Sequence, residues 1–368
     1  MDDWTYCQQT LPKVSRTFAL NIKTLQGELH RSVLIAYLFC RTVDTVEDAA
    51  ELDPKIKIEL LLEFSRLIEN QEYRLNHIDS WLNDCTIVDG SSTDLDLLKN
   101  IKRVFNIFDS LRNNYLDQVI PAVSKMAKGM AHFQSRFQFG EITPLKNEED
   151  LEEYCYFVAG VVGEMLCDLF LQKLSTLPES ARTIMKENAV SFGLGLQMTN
   201  ISKDVMADRE RGWSYIPQSL ITANGLTIDE FHSGISVDKS LQILEKLLFK
   251  TNGHLHDALK FTLAIPRTEL SLRLFCIWPL WMAMKTVAAL HNNPALLSSN
   301  APVKITRSQV KRILFITPLI AWSNYILKSS FDNILKEFKS HPEFDLQSLH
   351  KRLAKISLDN ASPNIQTV

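Results

Sequence analysis

The amino-acid sequence predicts an all-α protein, and three observations support this class. Apolar residues recur at every third or fourth position over long segments, as they do in helices that bury one face. Only 12 of the 368 residues are glycine, about half the usual share, whereas strand-turn-strand folds use glycine in their turns. No run of alternating apolar and polar residues stands out, and no motif repeats with a fixed period.

Eight segments carry the helical pattern, at about 27–50, 55–77, 93–136, 148–173, 179–209, 239–262, 267–291 and 307–339. Turn-forming residues separate several of them, around 83–92, 139–147, 212–220 and 292–302. No linker rich in proline, glycine or serine divides the chain. We therefore expect one all-α domain of about eight to ten main helices over residues 1–357, followed by a polar C-terminal tail at 358–368.

Composition excludes several classes of protein. The chain is 45% hydrophobic, enough for a sizeable core, and its net charge of −3 gives no reason to expect nucleic acid as a partner. The six cysteines lack paired spacing, which indicates reduced thiols rather than disulfides or a zinc site. The N-terminus is acidic and polar, unlike a secretory signal, and the apolar runs fall short of the ~18 residues that span a bilayer. We expect a cytoplasmic protein with no transmembrane segment, at most peripheral at a membrane.

One apolar helical segment, between Leu194 and Pro217, carries regularly spaced polar residues. Asn200, Asp204 and Asp208 follow one another at four-residue intervals, which stacks their side chains on one helical face. The pattern therefore directs an amide and two carboxylates the same way. A solvated helix surface with mixed charges would also explain it.

A second polar stripe interrupts an apolar segment upstream. Four residues share one helical face at spacings i, i+4, i+7 and i+11, namely Tyr37, Arg41, Asp44 and Asp48. Glu47 lies beside them. Charged groups in a segment that looks buried need partners or a metal ion, because burying an unpaired charge is costly. An Arg41–Asp44 ion pair at a helix end is the simpler alternative.

Two carboxylate clusters on two apolar helices suit Mg²⁺, which prefers oxygen ligands and bridges to substrate phosphate. Nearby basic residues are candidates to hold phosphate oxygens, namely Arg16, Arg41, Lys203 and Arg211. The chemistry expected of such a site is departure of diphosphate from an allylic carbon. Metal and basic groups would stabilise the leaving charge, while apolar walls shield the carbocation from water. The presence of both clusters favours this interpretation over a solvated surface.

Two pairs of glycines lie inside predicted helices: Gly160 with Gly163, and Gly193 with Gly195. Glycine in a helix costs about 0.5–1 kcal/mol relative to alanine, so something must approach these backbones closely. A neighbouring helix is one explanation. A long apolar ligand lying between helices is the other.

The motifs and their order resemble the squalene/phytoene synthase family of head-to-head prenyl synthases. The resemblance extends from about residue 5 to about 330 and rests on SRTFAL at 15–20, DTVED at 44–48 and NISKDVMAD at 200–208. Further stretches resemble the squalene synthase branch: KVSRTFALNIKTLQGELHRSV, YCYFVAGVVGEM, FCIWPLWMAMKTVAALHNN and VKIT at 303–306. The run RGWSYIPQSLITANGLT is more similar to bacterial phytoene and dehydrosqualene synthases.

The resemblance implies a single-domain, all-α isoprenoid synthase fold in which two Asp-rich helices face each other across a deep apolar cavity. In this family two prenyl diphosphates condense to a cyclopropylcarbinyl diphosphate, which ionises and rearranges to a linear product. Squalene synthases quench the last cation with hydride from NADPH. The implied reaction is therefore farnesyl diphosphate to squalene through presqualene diphosphate, with Mg²⁺ and NADPH as cofactors. Release of the apolar product would involve peripheral membrane contact.

Matching the motifs position by position implies the site residues. The implied Mg²⁺ ligands are Asp44, Glu47, Asp48, Asn200, Asp204 and Asp208. The implied catalytic residues are Tyr37, Arg41, Asp44, Asp48, Asp204, Asp208 and Tyr154, the last as a proton shuttle or cation stabiliser. The implied substrate contacts are Ser15, Arg16, Phe18, Gly160, Gly163, Gln197, Asn200, Lys203 and Arg211. The implied NADPH contacts are Arg16, Arg41, Lys203 and Lys304.

Two positions depart from the family pattern. Lys203 stands where arginine is usual, which weakens bidentate phosphate recognition. Thr306 stands where animal enzymes tend to carry arginine, which weakens the cofactor inference. Three readings follow: a squalene synthase, a phytoene or dehydrosqualene synthase that omits the reduction, and a non-catalytic helical relative that serves as a binding or assembly module.

Overall fold

The computed structural model describes residues 1–111, 113–137, 139–233, 235–297, 303–338, 340–356 and 358, with the backbone alone at Arg16 and Asn113. The chain divides into two compact units. Unit 1 comprises Met1–Glu141, Asp168–Lys173 and the described part of 354–368, and unit 2 comprises Ile142–Cys167 and Leu174–Leu353. The single domain expected at 1–357 stays a prediction, and the tail expected at 358–368 lies outside the described residues beyond residue 358.

Unit 1 is helical. Its helices are α1 Asp3–Val14, α2 Arg16–Ile22, α3 Gly27–Glu47, α4 Pro54–Glu69, α5 Gln71–Asp84, α6 Ser92–Lys99, α7 Ile101–Phe108 and α8 Asn113–Gln134, with a 3₁₀ turn at Cys85–Ile87. Gly27, with φ of 61°, lets the chain turn into α3. A cluster of buried aromatic rings holds α3 against α4 and α7. The ring centroid of Phe39 lies 6.0 Å from Phe64, 4.7 Å from Phe105 and 5.1 Å from Phe108. Residues two positions from Phe39, at 37 and 41, point to the opposite side of the helix.

Unit 2 is built on long helices. Its elements are β1 Thr143–Pro144, α9 Glu148–Cys155, a π-helix Tyr156–Gly160, α10 Val161–Lys173, whose last six residues belong to unit 1, α11 Glu179–Glu210, β2 Trp213–Ser214, α12 Gln218–Ala223, α13 Ile228–Ser233, α14 Val237–Ala264, α15 Leu270–Leu290, a 3₁₀ turn Pro294–Leu297, α16 Arg307–Ile320, α17 Asn324–Ile334 and α18 Leu346–Leu353. Helices α11 and α14 pack along each other and form the centre of this unit. The all-α class is confirmed.

Several predicted helices are shorter than their apolar pattern. The segment expected at 55–77 breaks at Asn70, whose side chain accepts a hydrogen bond from the Tyr73 amide and caps α5. The segment expected at 93–136 becomes α6, α7 and α8, and the one at 307–339 breaks before α17, which Ser323 caps. In each case the apolar period continues across the break, and side-chain caps start α5, α6 and α17.

The sequence analysis missed two kinds of element. Helices α1 and α2 precede the first predicted segment, and Asp2 and Ser15 cap them. The loops expected around 139–147 and 212–220 contain two short parallel strands, in which Thr143 pairs with Trp213 and Pro144 with Ser214. Each strand has only two residues, which is too few to show an alternating pattern of apolar and polar residues in the sequence.

Two helical stretches, Glu148–Lys173 and Leu270–Leu290, are long and apolar enough to cross a membrane by length and composition. Their mean hydropathies are 1.5 and 1.2, and 61% and 72% of the two windows is buried inside the protein. Core helices meet the same criterion, so these stretches are weak evidence for a membrane span.

Candidate active site

The start of the site in unit 1 is a contact between α2 and α3. The Ser15 hydroxyl accepts a hydrogen bond from the Phe18 amide at 3.1 Å and so fixes the beginning of α2. The Phe18 ring lies 5.6 Å from the Tyr37 ring. Burial raises the pKa of Tyr37 to about 12, while a hydrogen bond with Ser15 works against that shift. Tyr37 therefore stays protonated at neutral pH and can donate a hydrogen bond. The structure brings the predicted residues Ser15, Phe18 and Tyr37 together.

Arg41 is held by an acid that the sequence analysis missed. Its Nε and Nη2 atoms donate to the two carboxylate oxygens of Asp94, each at 2.8 Å. The Ser91 hydroxyl donates to Asp94 Oδ2 at 2.6 Å. Burial works to raise the pKa of Asp94, but the hydrogen bonds from Arg41 and Ser91 outweigh it and hold the pKa below its usual value. The guanidinium pairs in two-pronged geometry with Asp94, not with Asp44 as the simpler alternative supposed.

A sequence signal for Asp94 did exist. Ser91 and Asp94 form the Ser-x-x-acid pattern of a helix start, and the Ser91 hydroxyl indeed caps α6. The pattern predicts a helix start and nothing about a partner 53 positions away along the chain.

The carboxylates at the end of α3 lie in an environment that disfavours negative charge. Burial, together with the charge of Asp48, raises the pKa of Asp44 to about 7. Glu47 is only 3% exposed, and burial followed by the charge of Asp48 raises its pKa as well. Gln134 donates to Glu47 Oε1 at 3.2 Å, and the Lys57 ammonium donates to the Glu47 carbonyl at 2.8 Å. Burial lowers the pKa of Lys57, although the charges of Glu47 and Asp48 oppose this.

These three acids fit a divalent cation by their chemistry. Their oxygens are the ligands that Mg²⁺ prefers, and the raised pKa values of Asp44 and Glu47 mean that added positive charge would be stabilising. Within the described residues, no three His, Cys, Asp or Glu side chains are grouped as a complete metal-binding set. An ion here would therefore also take oxygens from water or substrate, as Mg²⁺ usually does.

In unit 2, one face of α11 carries the second predicted cluster. The Lys203 ammonium lies 3.0 Å from Asp204 Oδ2 and 3.4 Å from Asn200 Oδ1. The Arg211 guanidinium lies 3.8 Å from Asp208 Oδ1, and Asp208 is 8% exposed. The structure thus places Lys203 beside Asn200 and Asp204, and Arg211 beside Asp208, along the C-terminal part of α11. The burial of Asp208 is not what a fully solvated face would show.

Other predicted residues of unit 2 lie on and beside α11. Gln197 is partly exposed on the same helix, one turn before the cluster. Tyr154 is 2% exposed and stacks on Tyr215, with ring centroids 4.7 Å apart. Tyr215 follows β2 directly, and the neighbouring Trp213 ring lies 5.6 Å from the Arg211 guanidinium. Sequence analysis missed Tyr215 as a partner because the strand pair that places it was missed.

The glycines are explained by helix packing. A Cβ on Gly163 would lie 2.2 Å from the Ala189 carbonyl oxygen of α11, and one on Gly193 would lie 2.2 Å from the Ala159 carbonyl oxygen. At Gly160 the nearest atoms belong to the side chains of Tyr156 and Leu194. The close approach is therefore that of α11 to the π-helix and α10. Contact of Gly160 and Gly163 with substrate stays a prediction.

Two further residues, Arg16 and Lys304, are predicted NADPH contacts. Arg16 is the first residue of α2, and its side chain lies outside the described residues. Lys304 is exposed in the extended segment before α16. Thr306, the residue that departs from the family pattern, caps α16 in a reciprocal arrangement with Gln309. The threonine at this position thus has a structural role of its own.

The model of the squalene/phytoene synthase family matches residues 11–309. The chain belongs to this family. Squalene synthase ERG9 of Candida albicans is 30% identical over 314 residues, which cover 84% of this chain and 66% of that protein. Mouse squalene synthase is 29% identical over 308 residues, covering 84% of this chain and 68% of that one.

Solved structures agree with the squalene/phytoene synthase assignment at the level of fold. A complex of TcSQS with the ligand BPH1237 covers 98% of this chain and 97% of its own, with a TM-score of 0.74 and 24% identity. A dehydrosqualene synthase in complex with a ligand covers 90% and 97%, with a TM-score of 0.54 and 18% identity. The predicted isoprenoid synthase fold is confirmed.

Proposed function

We propose that this protein condenses two farnesyl diphosphates head to head, through presqualene diphosphate, and reduces the product to squalene with NADPH. The observation that carries the proposal is the group of acids at the end of α3, where burial and the charge of Asp48 raise the pKa values of Asp44 and Glu47 and so favour a bound cation. Family membership supports the reaction class. We propose that the enzyme is cytoplasmic and makes peripheral contact with a membrane.

Both acidic clusters would hold metal ions in this reaction. Mg²⁺, when bound, neutralises charge on a leaving diphosphate. Asp44, Glu47 and Asp48 would hold it in unit 1, and Asn200, Asp204 and Asp208 in unit 2. Lys203 lies beside Asp204, and Arg211 lies beside Asp208. When a diphosphate binds, its oxygens could replace these carboxylates as the ion-pair partners of Lys203 and Arg211.

Tyr37 and Arg41, both on α3, would bind the leaving diphosphate. The Asp94 carboxylate fixes the guanidinium plane of Arg41, so the group is oriented before substrate arrives. Tyr37, protonated at neutral pH, offers a neutral hydrogen-bond donor beside it. Tyr154, stacked on Tyr215, would present an aromatic face or a phenol to a carbocation.

NADPH would be held mainly by cationic side chains on its phosphates. Lys304 is exposed and therefore open to such a ligand, and Arg16, Arg41 and Lys203 are the other candidates. The second candidate function is a dehydrosqualene or phytoene synthase, which omits this cofactor. The similarity of RGWSYIPQSLITANGLT to that branch favours it.

The test is incubation of the full chain with labelled farnesyl or geranylgeranyl diphosphate and Mg²⁺, with and without NADPH, followed by identification of the hydrocarbon. Squalene with NADPH, and dehydrosqualene or hydroxylated by-products without it, would support the proposal. The same conjugated triene under both conditions would favour the second candidate. No consumption of either diphosphate would favour a non-catalytic helical relative.

A further inference from the structure

The segment from α16 to α17 carries several large apolar side chains that are exposed. Phe315 is 76% exposed, Leu319 64%, Trp322 56% and Tyr325 83%. Phe315 and Leu319 lie four residues apart on α16, and Trp322 and Tyr325 follow at the turn into α17. We call these four residues the apolar patch. Single exposed apolar residues are common, but four neighbouring large ones usually mark an interaction site.

Other residues of α16 and α17 attach this segment to α15. Ile313, Thr317 and Phe331 are buried, and the Trp278 indole of α15 donates to the Thr317 hydroxyl at 3.0 Å. Arg273, fully buried on α15, donates to Asn324 Oδ1 at 2.7 Å and so fixes the start of α17. The apolar patch is therefore the outer face of a packed element.

Positive charge continues the same stripe of α16. Arg307, Lys311, Phe315 and Leu319 are spaced four residues apart, so one helical face changes from basic to apolar along its length. Lys311 and its neighbour Arg312 are exposed. Residues 303–331 contain five Lys or Arg residues and no Asp or Glu, in a chain whose net charge is −3. We call Arg307, Lys311 and Arg312 the basic stripe.

We propose that the apolar patch and the basic stripe together form a docking surface for an anionic phospholipid bilayer. Large apolar side chains, with Trp and Tyr among them, are typical of the region where headgroups meet acyl chains. The cations of the basic stripe begin within one helical turn of Phe315 and extend to about 18 Å from Leu319 along the axis, so they would meet lipid phosphate while the apolar end inserts. Charge complementarity favours a bilayer over a purely apolar partner, since an apolar groove gives lysine and arginine nothing to bind. The inference rests on the membrane contact of the proposed function and names the surface that makes it, and the vesicle test below does not depend on the proposed reaction.

The test is sedimentation of the full chain with phosphatidylcholine vesicles, with and without phosphatidylserine. We expect binding to the phosphatidylserine vesicles that weakens as salt is raised. The double variant Lys311→Gln/Arg312→Gln should bind at least about tenfold more weakly. Phe315→Ser/Leu319→Ser should abolish binding.

Matched controls lie on other elements of the chain. Leu75→Ser/Ile87→Ser removes two apolar side chains that are 72% and 57% exposed, and Lys99→Gln/Lys186→Gln removes two exposed cations. Both should bind vesicles as the unmodified chain does, and melting curves should show that all variants are folded. Equal binding by control and patch variants would overturn the proposal. A second result would also overturn it. If the unmodified chain does not bind vesicles but self-associates as its concentration rises, and Phe315→Ser/Leu319→Ser abolishes that self-association, the patch binds a second copy of the chain.

Discussion

Arg41 and Asp94 form a two-pronged ion pair, Nε to Oδ1 and Nη2 to Oδ2, with both distances at 2.8 Å. The pair joins α3, which carries the acidic cluster, to the first turn of α6. Such a pair fixes the plane of the guanidinium as well as its position. Asp94 is therefore a positioning residue for a predicted diphosphate contact, and it makes no predicted contact with substrate itself.

Replacing Asp94 with Asn tests this role. The change keeps the shape and removes the charge, so Arg41 should lose its fixed orientation. We expect kcat/KM for farnesyl diphosphate to fall by about tenfold or more, and stability by about 1–3 kcal/mol. Asp94→Glu should recover part of the activity. The control Asp79→Asn, at a carboxylate 82% exposed beside Lys102, should change neither quantity. Full activity in Asp94→Asn would show that the pair is structural only.

The metal assignment is tested at one acid of each cluster. Asp48→Asn and Asp204→Asn should each lower turnover by orders of magnitude, because removing one acid forfeits several kcal/mol of charge stabilisation in the transition state. Chelation with EDTA should abolish turnover. Glu210→Gln, at the exposed end of α11, should be nearly silent. A folded Asp48→Asn or Asp204→Asn with normal turnover would remove that cluster from the site.

The glycine at position 163 distinguishes helix packing from substrate contact as the reason for its small size, and the packing explanation predicts an effect on stability. Gly163→Ala would place a Cβ 2.2 Å from the Ala189 carbonyl oxygen, and that backbone cannot move without shifting α11. We expect a loss of about 1–3 kcal/mol in the free energy of unfolding, with KM unchanged in the folded fraction. Gly160→Ala is the matched control, since its nearest neighbours are side-chain atoms, and it should cost less. A raised KM in a Gly163→Ala protein of normal stability would restore the ligand interpretation.

Lys304 should control the ratio of products. If its ammonium helps to bind NADPH, Lys304→Ala should shift the mixture towards unreduced product while farnesyl diphosphate is consumed at nearly the same rate. The exposed Lys311 on the following helix provides a matched control, as Lys311→Ala should leave the ratio alone. An unchanged ratio in Lys304→Ala would exclude this lysine from the cofactor site.

Periodicity and spacing predicted much of this protein, and the exceptions have physical causes. The helix expected at 179–209 agrees with α11, Glu179–Glu210. Its bounds could be predicted because the apolar period and the polar stripe continue along its whole length with no capping residue between them. The break at Asn70 was missed because a single side-chain hydrogen bond decides it, and that bond leaves no trace in an apolar pattern.

In the candidate site, too, contacts within one helix could be predicted from spacing, whereas contacts between elements could not. Tyr37 and Arg41 share a face of α3 because helical geometry requires it, so spacing alone could group them. Asp94 reaches Arg41 from another helix, and Tyr215 reaches Tyr154 through a strand pair of two residues a strand. Contacts of this kind depend on tertiary packing, which a single sequence does not specify locally.

The most direct test of the account counts the diphosphate released for each molecule of hydrocarbon formed from farnesyl diphosphate with Mg²⁺ and NADPH. Head-to-head condensation forms one carbon–carbon link between two substrates and releases both diphosphates, while one NADPH gives up its hydride. We therefore predict two diphosphates and one oxidised NADPH for each squalene. Release of one diphosphate for each farnesol, with NADPH untouched, would mean simple hydrolysis and would contradict the central claim.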